Sequence, residues 1–238
     1  MWELLNVGNY ESCCLTQVTF VPYQGLSMLL TAATDGRLAL WPALAISEVD
    51  AIDSLDGFDD PDPLALDYYS SLKIHQNTIK AQAFEMIDSY AGLVVTGGDD
   101  NAIAIHLAVP AMGQGEHNSP KADNTLIIPR AHAAAITAVL LVPSTHVSNG
   151  PIKHITHVTA ITAGIDQRVR AWDISIDLGP AYNRGARGIE VKRKANFFTP
   201  VADVSSMALF PSLDPDGASR FVDILVCGVG MQVLRIPI

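Results

Sequence analysis

Apolar and polar positions alternate through residues 161–173, where two apolar runs flank a short polar turn at Asp166-Gln167. The pattern predicts a strand, a tight turn and a second strand that ends in Trp172-Asp173. A histidine, His132, lies thirty positions before Thr162 in the first of these strands. The stretch therefore predicts a hairpin whose strands carry both apolar and hydrogen-bonding side chains.

The same pattern recurs in three weaker stretches, residues 30–41, 95–106 and 226–236, the last without the acid and the tryptophan. The predicted turns fall at 35, 100, 166 and 230, so the spacings are 65, 66 and 64 residues. Chance apolar runs do not keep such a period. Hairpins that repeat with a Trp-Asp ending and an upstream histidine are typical of WD repeats, each of which builds one blade of a β-propeller.

The repeat predicts an all-β chain: a partial WD40-type β-propeller of about four blades in an incomplete ring. An inner strand is expected before each hairpin, at 15–21, 79–87, 136–142 and 204–210. We place the repeat units at about 1–46, 70–109, 126–177 and 198–238, and long insertions at 47–69, 110–125 and 178–197. Insertions of this length explain a period longer than the usual forty or so residues.

Four polar side chains of the third unit match the hydrogen-bonded tetrad of WD repeats: His132, Thr162, Asp166 and Trp172. In such a tetrad every buried polar group has a partner, and leaving one unpaired costs about 1–3 kcal/mol. A Thr/His/Asp trio also fits nucleophilic catalysis. The repetition of the trio favours the structural role, because the second unit has His75, Thr96 and Asp100, with His106 in place of the tryptophan, and the first has Thr31, Asp35 and Trp41 without a clear histidine.

Composition narrows the class of protein. The chain is 49% hydrophobic and 17% charged, which favours a packed fold over disorder. Neither a membrane-spanning run nor a secretory signal is evident, and three cysteines without metal spacing favour a reducing, cytoplasmic setting. We expect no metal and no cofactor: the alternative of calcium at Asp59-Asp60-Pro61-Asp62 lacks the EF-hand spacing, and Gly97-Gly98 and Gly228-Val229-Gly230 lack the context of a phosphate loop.

Charge is unevenly distributed along the chain. Residues 1–100 hold 3 Lys/Arg against 15 Asp/Glu, whereas residues 101–238 hold 12 against 10. The segment 182–198 carries five bases, and we take them as candidate RNA-binding residues: Arg184, Arg187, Lys192, Arg193 and Lys194. On a flexible loop they would suit RNA phosphates, and Tyr182 or Phe197 would stack on an unpaired base. The alternative is a solvated loop that only offsets the acidic half.

Four short stretches resemble the C-terminal part of the WD-repeat-containing protein 6 family: 131–137, 163–172, 201–204 and 227–235. Members of that family are long, multi-propeller, non-catalytic partners of an FtsJ-like methyltransferase. The resemblance implies a scaffold in 2′-O-ribose methylation of the tRNA anticodon wobble nucleotide. In that arrangement the partner carries the S-adenosylmethionine site, and tRNA and other proteins bind the scaffold.

This chain is shorter than the family it resembles. It has four units, where a propeller of this type usually closes with seven, so we expect that upstream sequence is missing and that strand edges are left open. The alternative function is a generic WD-repeat adaptor between proteins, without RNA contact. An enzyme in its own right has little support in the sequence.

Overall fold

The computed structural model describes residues 6–8, 10, 13–23, 26–42, 64–66, 70–87, 91–108, 124–143, 155–177, 188–210 and 221–238. The long elements in these ranges are β-strands, which confirms the all-β prediction. Nowhere in the described ranges does a helix have the length and apolarity needed to cross a bilayer.

Four antiparallel sheets follow one another along the chain. Sheet I contains β2 (Leu15–Tyr23), β3 (Leu26–Ala33), β4 (Arg37–Pro42) and β6 (Ser70–Lys73). Sheet II contains β7 (Ile79–Met86), β8 (Gly92–Gly98), β9 (Ile103–Ala108) and β10 (Thr125–Ile128). Sheet III contains β11 (Ile136–Pro143), β12 (Ile155–Gly164), β13 (Arg168–Asp177) and β14 (Gly188–Phe198). Sheet IV contains β15 (Ala202–Leu209) and β16 (Phe221–Pro237). A short parallel pair, β1 (Asn6–Gly8) and β5 (Leu64–Leu66), forms a separate two-stranded sheet.

The sheets stack face to face through their first strands. β2 packs on β7, β7 on β11, and β11 on β15. Apolar clusters fill the three spaces between neighbouring sheets, each built from alternate residues of the facing strands. The largest lies between sheets II and III and includes Leu93, Ile105, Ile136, Ile174 and Ile176, all nearly inaccessible to solvent. The arrangement is β-propeller-like.

The predicted hairpin turns at 35, 100 and 166 are present in sheets I, II and III. The predicted inner strands coincide with β2, β7, β11 and β15 within a few residues. In sheets II and III, a non-glycine residue directly after the turn acid adopts positive φ, at Asn101 (62°) and Gln167 (56°). Sheet I has Gly36 in that place, with φ of 80°. The turns thus share one backbone geometry.

The fourth hairpin lies inside the continuous extended run of β16. Arg235 donates two hydrogen bonds of 2.8 Å to the carboxylate of Asp223, twelve positions earlier. A straight strand of that length would separate the two residues by about 40 Å, so the run must fold back on itself. The midpoint lies beside Gly230, whose φ of 103° suits a reversal. The predicted turn near 230 is therefore present.

The structure corrects two of the sequence-based boundaries. Residues 188–197, assigned to the insertion 178–197, form most of β14, and residues 64–66, assigned to the insertion 47–69, form β5. β14 pairs along its whole length with β13, because Ile189 and Val191 pack on the core between sheets II and III. The sequence predicted an insertion here because charged residues stand between these apolar positions and make the strand alternation hard to recognise.

Candidate nucleic-acid interface beside the buried tetrads

The four tetrad side chains of sheet III form one hydrogen-bonded chain. His132 Nδ1 lies 2.9 Å from Asp166 Oδ1, and His132 Nε2 lies 2.9 Å from Thr162 Oγ1. The indole N–H of Trp172 donates to the same Thr162 oxygen at 2.9 Å. Since a carboxylate only accepts, Nδ1 carries the proton and the Thr162 hydroxyl donates to Nε2. Every polar side chain of the tetrad thereby has a hydrogen-bond partner.

Charge in the tetrad is confined to the carboxylate. Burial alone would raise the pKa of Asp166, but hydrogen bonds from His132 and from the backbone N–H groups of Ala133 and Arg168 outweigh it and hold that pKa below its usual range. Burial lowers the pKa of His132, which favours the neutral ring. The hydroxyl of Thr162 is fully buried, so a substrate cannot reach it. The geometry fits a structural staple better than a nucleophile.

Sheet II has three members of the tetrad and a substituted fourth. His75 Nδ1 and Nε2 each lie 2.8 Å from their partners, Asp100 Oδ1 and Thr96 Oγ1. His106 stands in the tryptophan position, but its Nδ1 is hydrogen-bonded to Thr125 Oγ1 of the outer strand, at 2.8 Å. Burial lowers the pKa of His106 from 6.5 to about 4, so its ring is neutral at physiological pH.

Sheet I replaces the missing histidine with a tyrosine. The hydroxyl of Tyr10 donates to Asp35 Oδ2 at 3.0 Å, and its ring lies 6.3 Å from that of Trp41. Trp41 still donates to Thr31 Oγ1 at 2.8 Å. Burial and the hydrogen bond to Asp35 raise the pKa of Tyr10 to about 12. Tyr10 lies twenty-five positions before Asp35, the same spacing as from His75 to Asp100, and the sequence pattern missed it because a tyrosine stands where the pattern requires a histidine.

In sheet IV a shorter polar pair takes the place of the tetrad. The backbone N–H of Thr199 donates to Gln167 O, as that of His132 donates to Asn101 O one sheet earlier. Thr199 therefore occupies the histidine position, and its buried hydroxyl donates to Gln232 Oε1 at 2.9 Å. The network is smaller and uncharged.

The described candidate RNA-binding residues lie on the outer strand β14 rather than on a loop. Lys192, Arg193 and Lys194 are all exposed. Arg193 pairs with Trp172 and Lys192 with Asp173, and the register then shifts so that Lys194 is an extra residue. Because side chains alternate along a strand, Arg193 lies on the face of Val191, towards sheet II, and Lys192 lies on the opposite face. Arg184 and Arg187, like Tyr182, lie outside the described residues.

Arg170 connects this strand to the tetrad. Its guanidinium contacts Ala131 O, donates to Asn196 Oδ1 at 3.3 Å and lies 3.4 Å from Asp166 Oδ2. Burial lowers the pKa of Arg170; Asp166 opposes this effect, and the nearby cations Arg193 and Arg168 add to it. We call Arg168, Arg170, Arg193 and Lys194 the basic cluster. Its three arginines lie near one another in sheet III, and the exposed Lys194 directly follows Arg193 in β14.

An exposed aromatic side chain borders the basic cluster. The ring of Phe198 is 57% exposed, and the guanidinium carbon of Arg168 lies 5.7 Å from its centroid. Phe197, the predicted stacking residue, packs instead into the core between sheets III and IV. Neighbouring residues of a strand face opposite sides, so Phe198 faces solvent when Phe197 packs in the core. The sequence shows that two phenylalanines are adjacent, but it does not show which of them faces solvent.

Possible metal ligands and thiols are the remaining reactive side chains among the described residues. No group of three or more His, Cys, Asp or Glu side chains there is arranged to hold a metal ion. The acidic stretch 59–62, considered for calcium, lies outside the described residues. Cys13, Cys14 and Cys227 are free thiols.

Comparison with known proteins leaves the family open. No family model matches the chain, and no curated protein matches it. Among solved structures, the chain is similar to one described as BBS1N in complex with ARL6DN, soaked with lead. The identity is 13% and the TM-score is 0.48, and the match covers 98% of this chain and 55% of the other. The chain thus spans about half the length of that structure.

Proposed function

We propose that the four sheets are blades of an incomplete WD-repeat propeller that belongs to the WD-repeat-containing protein 6 family. In this proposal the chain is a non-catalytic cytoplasmic scaffold. It presents tRNA to an FtsJ-like methyltransferase for 2′-O-ribose methylation of the anticodon wobble nucleotide. The partner supplies both the S-adenosylmethionine site and the chemistry.

The basic cluster carries the proposal. Arg168, Arg170 and Arg193 lie near one another, with Lys194 next to Arg193 in sequence, in a chain whose net charge is −10. Phosphate recognition by proteins depends on clustered guanidinium and ammonium groups, and their positive potential acts locally even on an acidic protein. We therefore place the phosphates of the tRNA at the basic cluster.

The burial and mutual hydrogen bonding of the tetrad side chains agree with a non-catalytic role. The His/Thr/Asp sets of sheets II and III are buried and hydrogen-bonded to one another, with His75, His132, Thr96 and Thr162 each less than 3% exposed. A catalytic group must touch its substrate. The tetrads instead hold the hairpins from which Arg168 and Arg170 project.

A reconstituted methylation assay tests the proposal. With a purified FtsJ-like methyltransferase, tRNA and S-adenosylmethionine, wild-type chain should raise the yield of 2′-O-methylated wobble nucleotide, while chain without methyltransferase should give none. Arg193→Ala with Lys194→Ala should reduce the stimulation, and Lys192→Ala, on the other face of β14, should retain it. Methylation by the chain alone would establish an enzyme instead, and unchanged stimulation by the double variant would remove the role of the basic cluster.

A protein adaptor is the second candidate, and one observation favours it. Val18 and Phe20 on the first strand of sheet I are 62% and 74% exposed. Apolar side chains exposed side by side are typical of surfaces that other proteins cover. Phe20→Ser would weaken partner binding without affecting tRNA binding if this face is the functional one.

A further inference from the structure

The aromatic residue beside the basic cluster has surroundings that distinguish it from other exposed phenylalanines. Phe198 ends β14 and pairs in register with Arg168 of β13. The Arg168 guanidinium lies above the ring, at 5.7 Å from its centroid, so cation and ring hold each other in place. Because more than half of the ring is still open to solvent, a second planar group has room to stack on it.

The basic residues on the same strand indicate which class of ligand would supply that planar group. Arg193 and Lys194 lie four to five residues earlier on the same strand, which corresponds to about 15 Å of extended backbone. Both are exposed; Arg193 lies on the Phe198 side of β14, near Arg170, and Lys194 is the extra residue that follows it at the register shift. A ligand that both stacks on Phe198 and contacts Arg193 must therefore combine a flat ring with a negative charge. Nucleic acid combines a π-face on every base with a phosphate at every step.

We propose that Phe198, stiffened by Arg168, stacks on an unpaired nucleobase of a single-stranded RNA segment whose neighbouring phosphates contact Arg193 and Lys194. This inference rests on the proposed RNA contact and specifies its mode. Bases within a duplex have both faces covered by their neighbours, so only a loop, bulge or end can supply the base. Stacking of this kind tolerates any base, and the site should therefore discriminate structure more than sequence.

Oligonucleotides with and without bases separate stacking from charge. Binding of a short unstructured oligouridine and of an abasic oligonucleotide of the same length is measured by fluorescence anisotropy. Phe198→Ala should weaken binding of oligouridine by about tenfold, leave binding of the abasic strand unchanged and leave the salt dependence of both unchanged. Phe198→Trp should retain the affinity. Phe210→Ala removes an exposed phenylalanine that directly follows β15 and serves as the matched control.

The outcomes distinguish this inference from the proposed function. Equal losses on both oligonucleotides, or no loss on either, with Phe198→Ala would overturn stacking. Arg193→Ala with Lys194→Ala should weaken binding of both strands alike. If that double variant binds as wild type, the RNA role of the basic cluster fails; if it is weakened while Phe198→Ala is not, only the stacking inference fails.

Discussion

Asp166 Oδ2 and Arg170 Nη2 lie 3.4 Å apart and join the buried tetrad of sheet III to the basic cluster. The Arg170 side chain is only 12% exposed, so this pair is better shielded from solvent than a surface ion pair. Asp166 at the same time accepts from His132 and from two backbone N–H groups. One carboxylate therefore fixes the hairpin turn, the histidine and the arginine.

Substitution of Asp166 should destabilise the fold more than the same change in sheet II. Asp166→Asn puts an NH₂ group where Oδ2 accepts from Ala133 N–H and faces Arg170, and a buried polar mismatch costs about 1–3 kcal/mol. Asp100→Asn disturbs the equivalent bonds to His75 and Gln76, but no arginine within the described ranges is paired with Asp100. Urea unfolding of the two variants measures the difference. Equal losses of free energy of unfolding would mean that Arg170 adds nothing to stability.

Gly164 should not tolerate a methyl group. A Cβ there would lie 2.7 Å from Ala135 O and 3.1 Å from His132 Nδ1, so Gly164→Ala forces the turn or the histidine to move. Overpacking of this kind costs about 1–3 kcal/mol. Gly188→Ala is the control, because no atom of the described residues lies within 4 Å of its added Cβ. Thermal unfolding should show a lower midpoint for Gly164→Ala than for Gly188→Ala, and equal midpoints would contradict the tetrad geometry.

Local pattern predicted the hairpins and the tetrad of sheet III well, because strand alternation and the spacing from His132 to Thr162 lie within one repeat. It failed where a repeat position holds another residue type or a strand holds an extra residue. Tyr10 takes the place of the histidine twenty-five positions before Asp35, and β14 interrupts its alternation with an extra residue at Lys194. The exposed face of Phe198 depends on that register shift. Sequence alone does not place such a shift.

Stability should fall as pH decreases, partly through His106. Burial lowers its pKa from 6.5 to about 4. Between pH 6.5 and 4 the unfolded chain therefore binds a proton that the folded chain excludes, and the free energy of unfolding decreases as pH falls through this range. The full shift corresponds to about 3 kcal/mol. His106→Asn keeps a polar atom towards Thr125 without titrating, so its stability should depend less on pH in urea titrations at pH 7 and pH 4.5. The same pH dependence in both proteins would refute this role.

Cross-linking tests the reversal inside β16. Asp223→Cys with Arg235→Cys, in a background with Cys13, Cys14 and Cys227 replaced by Ser, should be joined within one chain by a short bifunctional thiol cross-linker, because the native side chains reach each other. Peptide mapping by mass spectrometry identifies the cross-link, and either single cysteine variant is the control. If the run were one straight strand, the two sulfurs would lie tens of ångströms apart and no intramolecular cross-link would form.

The salt dependence of tRNA binding tests the central claim most directly. The logarithm of the binding constant is measured against the logarithm of salt concentration for wild type, for Arg193→Ala with Lys194→Ala, and for Lys192→Ala. Each lost phosphate contact with unpaired RNA reduces the slope by about 0.7, so the double variant should lose about 1.4 and Lys192→Ala should match wild type. A double variant with the wild-type slope and affinity would contradict a nucleic-acid interface at the basic cluster.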